Sequence, residues 1–334
     1  MSALPSSALV TGSSGYLGAA LVRRLRGLGV QTAGLDPVPG PQTDFVGSAA
    51  DRGLVERALS SLPTGAGVLH AGALHKPQVA THSRRDFVDA NILGTQNLLE
   101  AACALGAASL VFTSTTSLMI DSALRAGLDA QGSPREAAAW LTEARAPLTP
   151  RNIYGVSKLA AEHLVRLQHE LLGLPVVILR TSRFFPEEDD RASHIAQSGP
   201  NTKVNELLFR RVSLSDVVDS HLLALQRAPA LGCDTFIVSA PSPFREADCG
   251  ELLRDAPAVV ARYFPSYPAI YARLGWSMFD SIGRVYVADR AVERLGWRPR
   301  LDFAAALAAL EAGADPRAVV DHDPDFRQAP PSPD

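Results

Sequence analysis

The chain has 334 residues, 46% of them hydrophobic and 20% charged, with a formal net charge of −3; that is the balance of a globular protein with one large α/β domain and room for a small appended lobe. Mixed charge without a clustered basic surface excludes a sequence-independent hold on nucleic acid and leaves a small molecule as the expected partner. Cys103, Cys233 and Cys249 are scattered with no C-x-x-C pair, which excludes a disulfide framework or zinc site, and no basic leader or apolar run of membrane-spanning length is present, so a cytoplasmic protein off the membrane is expected.

Short apolar runs at Ala8 to Thr11, Val30 to Leu35, Gly67 to Ala71, Ser109 to Thr113 and Val176 to Arg180 read as buried strands, with amphipathic helices such as Gly18 to Leu28 and Asn91 to Leu105 between them. Strict alternation of strand and helix predicts a doubly wound parallel sheet, the Rossmann arrangement of an α/β fold, because right-handed crossovers lay helices on both faces. After Arg180 the pattern breaks. The stretch from Phe184 to Asn205 mixes acidic residues, Pro, Gly and Asn, a helix from Ser215 to Gln226 and a strand from Thr235 to Ser239 resume the rhythm, and Pro241 to Ser281 departs again. The division expected is a nucleotide-binding domain over 1–183, completed by 212–240, a discontinuous substrate lobe from 184–211 and 241–322, and a mobile Pro-rich tail over 323–334.

The first strand runs into Gly12-Ser13-Ser14-Gly15-Tyr16-Leu17-Gly18 and then a helix. Glycines there allow a tight turn and a close approach to a pyrophosphate, which the free N–H groups of the helix start would meet. The second strand ends at Asp36, about 20 residues beyond the glycines, where an acidic side chain accepts from both ribose hydroxyls and repels a 2′-phosphate. With no Arg or Lys following, NAD is expected rather than NADP. Tyr16 stands where G-x-S-x-G would need its last Gly, and no Gly-Lys-Ser/Thr occurs, so hydrolase and triphosphatase readings have no anchor.

Tyr154 and Lys158 lie four residues apart at the head of a helix, hence on one face. A phenol of pKa about 10 must become several units more acidic to trade protons near neutrality, and an ammonium roughly 5 Å away supplies about 3 kcal/mol of phenolate stabilisation, about two units. Lysine occurs only at 76, 158 and 203 in a chain rich in arginine, which sets the pair apart from coincidence. Upstream, Thr113-Ser114-Thr115-Thr116-Ser117 places hydroxyls at the carboxyl end of a strand, where ligands bind; Thr115 is the expected holder of the reacting oxygen and Thr116 a substrate contact. Arg183, Arg210, Arg211 and Arg284 are candidate grips for a carboxylate or phosphate. His70, His75 and His82 lack the spacing of a metal site, and His75 or Lys76 is placed near the nicotinamide instead.

With these motifs in this order, the chain resembles the extended short-chain dehydrogenases/reductases of the NAD-dependent epimerase/dehydratase type, over roughly residues 8 to 300. His70-Ala71-Gly72-Ala73, Asn91-Ile92-Leu93-Gly94-Thr95, Asp216-Val217-Val218 and Leu295-Gly296-Trp297 are further matches. The resemblance implies Thr115, Tyr154 and Lys158 as the catalytic triad, Tyr16, Leu17, Ser48, Ala49, Ala71, Gly72, Ala73, Asn91, Thr113 and Thr181 as an NAD lining, and a homodimer through paired helices. The chain departs from the family in having Ser48 for an Asp, Leu118-Met119-Ile120 for Val-Tyr-Gly, and Arg183 for an Asn that meets substrate phosphates. The expected activity is hydride transfer at a secondary alcohol or ketone of a polar, sugar-derived substrate. A net dehydrogenase or ketoreductase acting on a non-nucleotide substrate and a non-catalytic NAD-sensing scaffold are the alternatives.

Overall fold

Runs such as Ala8-Leu9-Val10 carry no polar side chain on either face, so each must be covered on both sides. The computed structural model, which describes residues 3–185 and 197–320, does this with a central sheet. Its strands are β1 (Ser7–Thr11), β2 (Gln31–Asp36), β3 (Phe45–Val46), β4 (Gly67–His70), β5 (Ser109–Thr115), β6 (Ala139–Leu141), β7 (Val176–Thr181), β8 (Cys233–Val238) and β9 (Arg284–Tyr286). Seven of them form one parallel sheet in the order β3-β2-β1-β4-β5-β7-β8. Sequence order reverses between β1 and β4, which opens a crevice at their carboxyl ends.

Alternate side chains of each strand feed two cores. Ala8 and Val10 of β1 pack with Leu21, Val22 and Leu25 of the Tyr16–Gly27 helix and with Val217 and Leu225 of the Leu214–Leu231 helix. Leu9, on the opposite face, packs with Val55, Leu98, Leu99, Ala161 and Val165. The Ile153–Leu172 helix starts on Asn152, whose side chain accepts from the Gly155 N–H at 2.9 Å, and stops at Gly173 in the left-handed region at φ +72°.

A separate core gathers Val204, Leu207, Leu252, Val259, Ile270, Phe303 and Leu307, beside the small parallel sheet β6–β9. β6 lies inside the stretch that the sequence pattern assigns to the first domain, yet it pairs with β9 and its neighbour Ala138 joins this second core. Buried Asp216 ties the two regions together by accepting from the Arg300 and Leu301 N–H groups at 2.8 and 3.1 Å, while the Trp297 indole donates to its carbonyl at 2.9 Å. The expected tail at 323–334 lies outside the described residues. No helix among the described residues is long and apolar enough to cross a membrane.

Candidate active site

The glycine loop is built by close backbone approach. Gly12 has φ +74°, and a Cβ there would sit 2.7 Å from the Gly72 backbone; one on Gly18 would sit 1.9 Å from the Gly12 carbonyl oxygen. Gly15 donates to that same carbonyl at 2.9 Å, closing the turn. The helix that follows has no side-chain cap and no acid in its first turn, so the Tyr16 and Leu17 end of the helix keeps the donor character that a pyrophosphate requires.

Asp36, at the end of β2, accepts from the Ser14 N–H at 3.1 Å and the Val38 N–H at 2.8 Å. Burial raises its pKa against those two bonds, and its remaining lone pairs suit a ribose diol. This donor and acceptor set fits NAD: backbone N–H groups for the pyrophosphate, a carboxylate for the adenosine ribose. Ser48 accepts from the Ala50 N–H at 3.1 Å within its own loop, and the Ala49 carbonyl is held by the Asn97 amide at 3.0 Å.

Ala71, Gly72 and Ala73 leave the end of β4 in a loop fixed from two sides. Asn91 donates to the Leu74 carbonyl at 3.0 Å and to the Ser157 hydroxyl at 2.9 Å, while accepting from the Leu74 N–H at 2.8 Å. Below it, hydrogen-bond accounting sets a one-way chain. Thr95 donates to the Asn91 carbonyl at 2.6 Å, so it accepts from His70 Nε2; His70 Nδ1 therefore accepts from Thr11, whose oxygen accepts from the Gly72 N–H. The imidazole is neutral, pulled down to about 3 by burial and the Lys158 charge.

Tyr154, 7% exposed, lies with its hydroxyl near Thr115 at the end of β5, close enough for the threonine to favour the ionised phenol. Lys158, 3% exposed, stands one turn along with its Nζ 3.9 Å from the centre of the Phe112 ring. One sequence expectation is corrected here. The phenol is not made more acidic by the lysine in the protein alone; burial pushes it up to about 12, with Thr115 pulling the other way. The same burial takes Lys158 down to about 7, with Glu162 resisting, so near neutrality the amine carries only part of its charge. Glu162, fully buried, is kept ionised by Arg180 at 3.0 and 2.8 Å, by Arg166 at 2.9 Å and by the Ser114 hydroxyl at 2.7 Å. It sits four residues beyond Lys158, a spacing that sequence reasoning passed over.

Other expected residues divide. His75 lies against the Tyr154 ring, centroids 6.0 Å apart, and edge-on to Phe185 at 5.5 Å. Thr116 donates to the Thr181 carbonyl at 3.4 Å, and Thr181 to the Ser114 carbonyl at 3.0 Å. The Thr113 hydroxyl faces His221 at 2.8 Å. Arg211 pairs with Glu206 at 2.9 Å and donates to the Phe185 carbonyl at 3.1 Å, and Arg183 reaches the same glutamate at 3.6 Å. Arg284 lies beside the Tyr286 ring at 5.8 Å. Phe184 and Phe185, stacked at 4.4 Å and facing Tyr16 at 6.4 and 6.1 Å, form an aromatic wall that no motif announced. Among the described residues no cluster of metal ligands occurs.

A profile of the NAD dependent epimerase/dehydratase family matches residues 8–230. A UDP-glucose 4-epimerase of Streptomyces lividans is 25% identical over 91% of this chain and 94% of its own length, and a dTDP-glucose 4,6-dehydratase of Streptomyces antibioticus is 26% identical over 90% of each. In fold, a short-chain dehydrogenase/reductase superfamily protein of Agrobacterium tumefaciens crystallised with NAD matches with a TM-score of 0.63, covering 95% of this chain and all of that one at 24% identity. The match spans the glycine loop, Asp36, the β5 hydroxyls and the Tyr154–Lys158 helix, and the chain is an NAD-dependent enzyme of the epimerase/dehydratase family of extended short-chain dehydrogenases/reductases.

Proposed function

We propose that the protein transfers hydride between NAD and a secondary alcohol or ketone of a sugar-derived substrate, with Tyr154, Thr115 and Lys158 as the catalytic residues. The observation that carries this reading is the burial together of Tyr154 and Lys158, one turn apart on the Ile153–Leu172 helix, beside Thr115 at the carboxyl end of β5. NAD, when bound in its oxidised form, would supply the hydride acceptor and a positive charge that favours a phenolate. Gly12, Ser14, Gly15, Tyr16, Leu17 and Gly18 would hold its pyrophosphate, Asp36 its adenosine ribose, and Lys158 the ribose of the nicotinamide end. Thr115 orients the substrate oxygen. Tyr154 takes the hydroxyl proton as hydride leaves the carbon, or returns it on reduction. In its charged form Lys158 would offset part of the burial cost of the phenolate once NAD is bound, since a cation one turn away favours the ionised form. The aromatic wall of Tyr16, Phe184 and Phe185 keeps water from this exchange.

Were the cofactor retained between oxidation and return of hydride to the opposite face, the outcome would be epimerisation, and with loss of water from the keto intermediate's neighbouring carbons it would be dehydration, the activities named for the relatives above. A homodimer is part of the proposal: Val156, Leu167, Leu171 and Leu172 of the Ile153–Leu172 helix, and Val88 and Leu93 before the Gly94–Ala104 helix, are exposed apolar side chains that a second copy would cover. Cytoplasmic location fits the free thiols of all three cysteines.

The test is to purify the protein, measure NAD bound after denaturation, and follow nicotinamide absorbance and isomerised product across a panel of sugars and nucleotide sugars. Tyr154→Phe should leave NAD binding within about threefold and lower turnover by about 10²- to 10⁴-fold. Undiminished turnover in that variant would overturn the assignment.

A further inference from the structure

Arg151 and Arg210 each lie within electrostatic reach of Arg284, near the segment that follows Thr115. Arg284 and Tyr286 are two apart on β9 and so share a face. Tyr286 packs with Leu118, Met119 and Ile120, the segment that leaves the catalytic Thr115. Arg210 follows Phe209, whose carbonyl accepts from the Tyr286 N–H at 3.0 Å, and Arg151 precedes the Asn152 cap of the Tyr154 helix. The charge of Arg284 acts on both Arg151 and Arg210.

Their counter-charge is incomplete. Arg210 meets Glu206 at 2.8 Å, but that carboxylate is also engaged by Arg183 and Arg211. Among the described residues Arg284 has no hydrogen-bond or ion-pair partner, and its Nε and that of Arg210 are both buried without an acceptor. Buried guanidinium donors without acceptors are costly unless an oxyanion completes them. Phe209 packs edge-on to Phe279 at 6.0 Å, and the buried amides of Asn201 and Asn205 are both bonded to the Ser277 carbonyl at 3.0 and 2.9 Å.

We infer that Arg284 and Arg210, with Arg151 at the rim, form a subsite for one carboxylate of the substrate, so that the substrate class is a compact sugar acid whose alcohol reaches Thr115 and Tyr154. Planar guanidinium donors match a carboxylate in two parallel bonds. The inference rests on the hydride-transfer reading for the position of the reacting carbon, whereas binding of the acid is measured independently of turnover.

The experiment uses the full chain saturated with NAD and titrates glucuronate, glucose, glucose 6-phosphate and UDP-glucose by calorimetry, with nicotinamide absorbance read in parallel. Glucuronate is expected to bind at least about tenfold more tightly than each of the others. Arg284→Gln should remove about tenfold or more of the glucuronate affinity and leave glucose within twofold, and Arg284→Lys should recover part of the loss. Preference for the phosphate ester or for UDP-glucose, or an equal loss for acid and neutral sugar in Arg284→Gln, overturns the subsite. Selective acid binding without any nicotinamide change sustains the subsite and overturns the hydride reading, and turnover of neutral or nucleotide sugars alone does the reverse.

Discussion

At the scale of single residues, the active site trades stability for chemistry. Lys158 is buried where its charge is poorly solvated, and its pKa drops from 10.5 to about 7. The folded protein therefore holds fewer protons at this position than the unfolded chain between pH 7 and 10.5, so the penalty is full below pH 7 and fades as pH approaches 10.5. Lys158→Met should abolish turnover and raise Tm most at pH 6, by about 2–4 °C per kcal/mol relieved, with the gain shrinking by pH 10; equal gains at both pH values, by calorimetry, would show that the amine is solvated. The pair Tyr154/Lys158 was legible in the sequence because helical spacing is local. The balance between burial and charge was not, since it depends on Phe112 and Glu162, which the fold alone brings against the amine.

At the scale of elements, the crevice depends on how a loop is held. Val88–Leu93 is a π-helical turn that leads into the Gly94–Ala104 helix, and the widened turn carries Asn91. From there Asn91 joins the loop after β4 to the Tyr154 helix through Leu74 and Ser157. Asn91→Ala leaves both Leu74 backbone groups without a partner, and should cost about 1–3 kcal/mol in urea unfolding and weaken NAD binding in the same variant; unchanged NAD affinity would mean that the loop holds its shape unaided. The sequence marked Asn91 through its motif but read the segment as plain helix, because a π-turn leaves the apolar periodicity nearly intact. Exposed apolar faces are a second property of elements. Leu171 and Leu172, 68% and 64% exposed, end the Ile153–Leu172 helix. Replacing both with Asp should convert the proposed dimer to monomer by sedimentation, with NAD binding retained.

At the scale of the whole molecule, the parallel sheet was legible because each strand is a short apolar run flanked by turn residues, so strand identity and order of appearance follow from local pattern. The second core was not, because β6 and β9 are three residues each and lie more than 140 positions apart; neither presents a periodicity, and their pairing is settled by the surfaces that Val285 and Leu141 cover. The arginines show the same limit, since their grouping around Glu206 and Tyr286 is a matter of tertiary packing alone.

The neutral imidazoles in the interior make the protein sensitive to acid. His70 bridges Thr11 and Thr95 with one donor and one acceptor, and His221 does the same between Val217 and Thr113. Burial depresses them to about 3 and about 4, from 6.5 in the unfolded chain. Their contribution is intact above pH 6.5 and drains away as pH falls toward 4 and then 3, because the denatured state gains protons that the native interior refuses. Stability measured from pH 7 down to 4 should drop steeply, and His221→Gln should flatten that slope. An acidic medium would thus unfold this enzyme early, the protons being taken up by imidazoles that its native interior keeps neutral.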